Sequence, residues 1–411
     1  MAVGAGAVEL TLAPTTLDGF LSDHWDRRPL LVARDEPARF DGLLSPADAE
    51  RLVSTTGIRA PAFRLVRDGE PLPLPGYTED IPWRPGAFTG TAVVDRVAAE
   101  FAAGATIVLQ ALHVSWHAAA LYCRGLERAL ACPVQANAYW TPAAAQGFAV
   151  HHDTHDIFIL QVAGHKRWRV YEPVLELPLK DQRWSAELGE PGPPVMDFVL
   201  GPGDTLYLPR GWPHEAETSA EPSLHLTIGL HPPTRLDALR AAVEACADDV
   251  ELRRALGPDG ALPPDLLGRL AARLDPEQVA ARARRRFVAG RRPIRDGQLT
   301  QVAALDALGA GSLVARRATV IADLDGATLH FEGRRVEFPA RAAAALAAVH
   351  AGDGPFCARD LPGPLDEAGR LVLLRRLVRE GYLVAIYLLC LGSFRTRLMG
   401  GRFESELWLR V

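Results

Sequence analysis

From Pro133 to about Leu230 the chain is cut into short β-like runs: VQANAYW, FAVHHD, DIFILQVAG, HKRWRVYE, DFVLGPGD, DTLYLP and SLHLTIGL. Gly, Pro and Asp separate them. Several short strands divided by turns predict an all-β sandwich or barrel. The flanks follow another grammar. Leu17, Phe20, Leu21 and Trp25 recur at helical spacing, Arg28-Pro29 ends that helix, and Leu30 to Val32 reads as a short strand. Ser45 as N-cap and Pro46 at the first helical position open a second helix. Residues 60–100 are rich in Pro and Gly and read as loops with short strands. From Thr106 the run IVLQAL is strand-like, and Trp116 to Leu130 reads as a helix. After His231-Pro232-Pro233 the composition shifts to Ala, Leu, Arg and Asp, and residues 235 to about 290 read as helices. Residues 316–338 return to strand-like alternation. Residues 340–384 then give helix, break, helix and short strand, the order of a small winged-helix unit.

A chain of 411 residues is long for one core, so two or three domains are expected. A hydrophobic content of 48% and a charged content of 23% are those of a soluble globular protein. The net charge of -5 argues against a polyanion binder as a whole. One local patch, RARRRFVAGRRPIR at 282–295, is cationic; it reads as a solvated helix end or as a docking site for RNA. The five cysteines form no CxxC pair, so neither a zinc site nor a disulfide framework is expected. The N-terminus lacks a basic region ahead of an apolar stretch. No apolar run reaches the roughly 20 residues needed to span a bilayer. No membrane contact and a cytoplasmic location are the resulting expectations.

The chemistry is concentrated at two places. In FAVHHDTHDIFILQ, His151 and Asp153 are two residues apart. On a strand, residues i and i+2 share a face, so an imidazole nitrogen and a carboxylate oxygen converge. A second histidine from a neighbouring strand would complete two histidines and one carboxylate, the facial triad of non-heme Fe(II) oxygenases. Gly203-Asp-Thr-Leu-Tyr-Leu-Pro209-Arg-Gly211-Trp-Pro-His214 supplies it. There a strand is stopped by Pro209 and turned at Gly211, and His214 follows. His152 has the opposite parity and reads as structural. His155 shares the parity of the pair and reads as a packing or surface histidine, or as part of a pocket rim. His225 reads equally as a core residue or a site-lining one.

Gly203 to His214 matches the second cupin signature, with Thr218 where an asparagine is frequent. Together with His151-x-Asp153, Asp156, Phe158 and Gln161, the chain resembles JmjC-type ribosomal oxygenases, also called cupin-4 proteins. Phe20, Trp25, Arg28, Pro29 and Leu30 look like that family's N-terminal motif, and Asn137-Ala-Tyr139-x-Thr141-Pro142 looks like its strand before the metal motif. The likeness covers roughly residues 15–385. It implies an α+β chain with a double-stranded β-helix (jelly-roll) core, a helical dimerisation segment and a C-terminal winged-helix domain. The corresponding boundaries are 1–105 for an N-terminal extension, 106–233 for the catalytic core, 234–315 for the helical segment and 316–385 for the winged helix. The tail at 386–411 has no assignment.

The resemblance also implies 2-oxoglutarate as co-substrate beside Fe(II). Lys166 occupies the family position that holds its distal carboxylate. Tyr139 and Thr227 stand where the family offers hydroxyls to that group, and Asn137 where it lines the pocket. The implied activity is hydroxylation of a protein side chain, Arg or His of a basic ribosomal protein, with release of succinate and CO2. An acidic surface with Asp156, Glu215 and Glu217 would suit such a partner. Alternatives are a hydroxylase of a biosynthetic peptide or small metabolite, histone lysine demethylation, and a non-catalytic cupin that binds a ligand or reads DNA. The helix carrying Arg370, Arg375, Arg376 and Arg379 would be the third of the winged helix, where nucleic-acid contact is conceivable but a docking or structural use is favoured.

Overall fold

The computed structural model describes residues 3–386, so the tail at 386–411 lies, from residue 387 on, outside the described residues. The described residues divide into two compact units, one up to residue 232 and one from residue 233.

Eight strands form the centre of the first unit: β1 (Val134–Thr141), β2 (Gln146–His151), β3 (Asp156–Ala163), β4 (Lys166–Val170), β5 (Met196–Leu200), β6 (Thr205–Leu208), β7 (His214–Thr218) and β8 (Ser223–Leu230). They are shared between two antiparallel sheets. The small sheet has the order β5-β4-β7-β2. The large one runs Leu30–Val32, β6, β3, β8, β1, then Thr106–Leu109, Phe63–Arg67 and Glu70–Pro71. This is the jelly-roll expected from the sequence, with β7 added, a strand that the residues HEAET do not announce.

Alternation along each strand sorts its side chains. On the large sheet, Val134, Ala136, Ala138, Phe158, Leu160, Leu224, Leu226 and Ile228 face an outer core completed by helices. Those helices include Val3–Leu12, Leu17–Asp23 and His117–Leu130. The opposite parity, Asn137, Tyr139, Thr141, His225 and Thr227, turns toward the small sheet. Between the sheets the interior is apolar where Ile157, Ile159, Val170, Leu200, Leu206 and Leu208 pack together. Elsewhere it is polar and hollow.

Two glycines of the cupin-like motif are dictated by close approach. A Cβ at Gly203 (φ +90°) would meet Glu36 O at 2.2 Å, and one at Gly211 (φ +90°) would meet Leu175 O at 2.6 Å. The N-terminal segment is tied to the barrel by Phe20, Trp25, Phe158 and Tyr207, with Phe20 edge-on to Tyr207 at 4.8 Å. Residues 60–100 hold more order than the Pro and Gly content predicted. Besides strands at Thr78–Trp83 and Gly86–Ala92, Val94–Ala102 is a helix, with no side-chain cap at Val93 to announce it.

In the second unit, helices span Arg235–Glu244, Leu266–Arg273 and Pro276–Ala289. A three-stranded meander (Ala322–Asp325, Thr328–Phe331, Arg334–Glu337) precedes helices Ala343–Ala351 and Glu367–Glu380, and Leu383–Ala385 pairs with Val314–Arg316. Much of the basic content is spent internally. Arg284 and Arg285 pair with Asp323 at 3.2 and 3.5 Å, and Arg295 pairs with the buried Glu332 at 3.1 Å. On the last helix Arg375 donates to the carbonyls of Asp306 and Leu308, Arg370 to those of Arg359 and Gly363, and Arg376 pairs with Glu380. A helix whose arginines cap its own unit has fewer of them to offer a nucleic acid. No helix among the described residues is long and apolar enough to cross a membrane.

Candidate metal centre and its cavity

His151 is the last residue of β2 and His214 the first of β7, and the two are direct cross-strand partners. Their rings lie 4.6 Å apart. Asp153 falls just beyond the end of β2, not on it as the i, i+2 argument assumed. Its backbone carbonyl accepts the Gly211 N–H at 3.0 Å, so the turn before β7 fixes the loop after β2. The Asp153 carboxylate comes to 4.0 Å from His214 Nε2. One ligand atom from each of the three residues lies within 4.8 Å of the others, the one such group found among the described residues.

The tautomers suit metal binding. His151 Nδ1 donates to Ala149 O at 2.8 Å, and His214 Nδ1 donates to Trp212 O at 3.0 Å. A carbonyl only accepts, so the proton sits on Nδ1 and Nε2 carries the lone pair. Burial, followed by the neighbouring His151, pushes His214 down to about 4, so its ring is neutral near pH 7. Burial works against ionisation of Asp153, but His155, His214 and His151 outweigh it and hold the carboxyl below its ordinary range. Two neutral imidazoles and one carboxylate from one side are a donor set for a divalent metal such as iron.

The triad opens on a cavity of about 230 Å³ whose walls include Tyr139, Thr141, Lys166, Trp168, His225 and Thr227. Lys166 is 3% exposed, and its Nζ donates to Thr141 Oγ1 at 3.2 Å. No acidic partner pairs with it among the described residues, and burial pushes its ammonium down to about 7. A buried ammonium without a counter-charge costs several kcal/mol. A buried ammonium in a cavity wall fits the distal carboxylate of a dicarboxylate. Lys166 and His214 of the triad sit at opposite ends of one strand pair: Lys166 faces Thr218 across the β4–β7 ladder, and Val170 faces His214. Trp168 lies between, on the same face. Its indole Nε1 and His225 Nδ1 are both buried without a hydrogen-bond partner. His225 stacks on Tyr139 at 5.1 Å and meets Trp168 edge-on at 5.6 Å, so of its two readings the structure gives the site-lining one.

Residues 111–238 match the family model for the JmjC domain. The chain carries a JmjC domain. This domain belongs with relatives named for oxygenase chemistry. The protein is 35% identical over 232 residues to the bifunctional lysine-specific demethylase and histidyl-hydroxylase NO66 of Drosophila persimilis, covering 56% of this chain and 32% of that one. It is 33% identical over 224 residues to ribosomal oxygenase 1 of Gallus gallus, covering 53% of this chain and 35% of that protein. The chain thus spans about a third of the length of these curated relatives. The Escherichia coli ribosomal oxygenase YcfD, solved with cobalt and 2-oxoglutarate, aligns with a TM-score of 0.52 at 19% identity, over 91% of this chain and 99% of that one. That likeness supports the JmjC/cupin fold.

Not every expected residue meets the cavity. Asn137 spends its amide oxygen on the Ala111 N–H at 2.9 Å and is not among the lining residues. His152 is buried, binds Gln182 O at 3.1 Å and lies outside the lining set, as its parity predicted. His155 stacks on His231 at 4.5 Å. Asp156 corrects the expected acidic surface: it is fully buried, accepting from Tyr207 Oη at 2.7 Å and Arg210 N at 3.1 Å. Glu215 and Glu217 are tied to Arg169 at 3.3 and 2.9 Å. Sequence reasoning missed Thr141, Trp168 and Arg64 as lining residues. The first two follow from parity with Tyr139 and Lys166; Arg64 has no local signal.

Proposed function

We propose that this protein is an Fe(II)- and 2-oxoglutarate-dependent oxygenase that hydroxylates a protein side chain, Arg or His of a basic ribosomal protein. The observation that carries the reading is the pairing within one cavity of a two-histidine, one-carboxylate triad with a buried lysine that has no acidic partner. His151, Asp153 and His214 would hold the iron. Bound iron with 2-oxoglutarate supplies oxidative decarboxylation to succinate and CO2 coupled to C–H hydroxylation. The chain's part is placement. Lys166 and Thr141 hold the distal carboxylate, with Tyr139 and Thr227 on the adjoining wall. Trp168 and His225 shape the channel between that anchor and the triad, and their free N–H and ring nitrogen are available to polar atoms lying along it. The walls of this channel exclude water from the reacting centre.

The ribosomal substrate is supported by the names of the relatives, not by any feature of the cavity. A homodimer is supported by Leu236, Leu239 and Val243, which follow helical spacing on Arg235–Glu244 yet are 37%, 53% and 47% exposed. Light scattering should give twice the chain mass, and a Leu239→Asp variant should run as a monomer.

The experiment is anaerobic loading with iron, addition of oxygen, ascorbate, 2-oxoglutarate and ribosomal proteins, and mass spectrometry for an added oxygen. A shift on one protein, lost in His214→Ala, is the expected result. Succinate formation with no protein modified would move the substrate to a peptide or metabolite.

A further inference from the structure

The large sheet brings a second cation to the same cavity, from outside the segment that matches the JmjC domain. Arg64 lies on strand Phe63–Arg67 and is a lining residue of the cavity. The sheet registers Arg64 against Val108, Val108 against Tyr139, and Tyr139 against His225. Side chains in such a row project from one face, so Arg64 shares the inward face with Tyr139 and His225. Its charge acts on the Tyr139 and Tyr77 phenols. Its Nε is buried with no hydrogen-bond partner, and no carboxylate pairs with its guanidinium among the described residues.

Charge balance shows what this cation is for. In the loaded site the two positive charges of the metal are offset by the two negative charges of 2-oxoglutarate, and Lys166 by Asp153. Glu215, the other acidic residue among those lining the cavity, turns its carboxylate to the outer face of the small sheet, where Tyr171 Oη holds it at 2.6 Å and Arg169 Nη1 at 3.3 Å. One uncompensated positive charge remains, on Arg64. Like charges in a poorly solvated cavity repel strongly. We propose that Arg64 is a specificity residue that turns away guanidinium and ammonium side chains and admits an uncharged side chain bearing an acceptor, an imidazole or a carboxamide. The inference rests on the oxygenase assignment and narrows it: histidine enters and arginine does not. The guanidinium offers its free N–H groups to the acceptor of the entering side chain.

Acetamide and methylguanidinium test this, being planar and of similar size but of different charge. Each is added to full-length protein holding Mn(II) and 2-oxoglutarate, and manganese-induced relaxation of its methyl protons is measured, with Mg(II) as the diamagnetic control. The wild type should relax acetamide about tenfold more strongly than methylguanidinium at equal concentration. Arg64→Gln should close most of that gap, and Arg64→Lys, which keeps the charge, should preserve it. Equal relaxation of both probes in the wild type would overturn the proposal. So would a gap that survives Arg64→Gln, or exclusion of both probes from every variant. A weaker hold on 2-oxoglutarate in Arg64→Gln with the gap intact would reassign Arg64 to the co-substrate. Failure of the wild type to bind Mn(II) or 2-oxoglutarate would contradict the oxygenase assignment itself; binding of both without charge selectivity contradicts only this inference.

Discussion

The two faces of the small sheet use polar residues in opposite ways. Outward, Arg167, Arg169, Asp197, Glu215 and Glu217 form a ladder of ion pairs, with Arg167 to Asp197 at 2.7 Å and Arg169 to Glu217 at 2.9 Å. Inward, the same strands carry Lys166 and Trp168, both buried, the one without an acidic partner and the other without an acceptor for its indole N–H among the described residues. The outer charges are many, solvated and matched, and each adds little. The inner ones are few and unmatched, and each costs stability until a ligand arrives. Unsatisfied polarity, not abundance of charge, marks the working side.

Four substitutions or titrations would break or sharpen that contrast. Asp153→Ala removes the carboxylate of the triad, and metal affinity should fall by more than the ~100-fold typical of losing a ligand's supporting contact. Isothermal titration with Mn(II) measures it. Lys166→Met should weaken 2-oxoglutarate binding by about 100-fold, as expected for leaving a buried carboxylate unpaired, while raising unliganded stability by about 1 kcal/mol. Binding and thermal melts on one sample would show both, and a destabilised variant with intact binding would refute the anchor. The third effect is pH dependence. Lys166 has its pKa lowered to about 7 by burial, and a bound carboxylate raises it again. Affinity is therefore fully present below about pH 7 and declines above it, by up to about tenfold per pH unit, with proton uptake on binding. Calorimetry in buffers of different ionisation enthalpy detects the proton. Smallest is the outer face: Arg169→Ala should cost less than about 1 kcal/mol in a urea melt and leave 2-oxoglutarate binding unchanged.

How much of this was legible in the sequence depended on range. His151, Asp153 and His214 are carried by local spacings, and the turn chemistry of Gly203, Pro209 and Gly211 announces where the third ligand falls. The strands with apolar alternation were equally plain. β7 was not, because HEAET places Glu215 and Glu217 on the solvated face and His214, Ala216 and Thr218 within. A strand whose inner residues are a histidine, an alanine and a threonine has no apolar signature. The helix at Val94–Ala102 was hidden by Pro- and Gly-rich flanks and the absence of a cap. Asn137 had the right parity for the cavity, yet a backbone N–H at Ala111 claims it, a contact between segments that spacing does not reveal. Arg64 is the extreme case. It reaches the site through Val108 and Tyr139, and no pattern within a strand encodes which distant strand will be its neighbour.

The most direct test of the central claim is anaerobic titration of Fe(II)-loaded protein with 2-oxoglutarate, read by the visible charge-transfer absorption that Fe(II) gains when a 2-oxo acid binds it. The account predicts a saturable band in the wild type, the same band at much higher 2-oxoglutarate in Lys166→Met, and no band in His214→Ala. A wild-type protein that gives no band at saturating iron and 2-oxoglutarate, or a His214→Ala variant that gives an undiminished one, would contradict it.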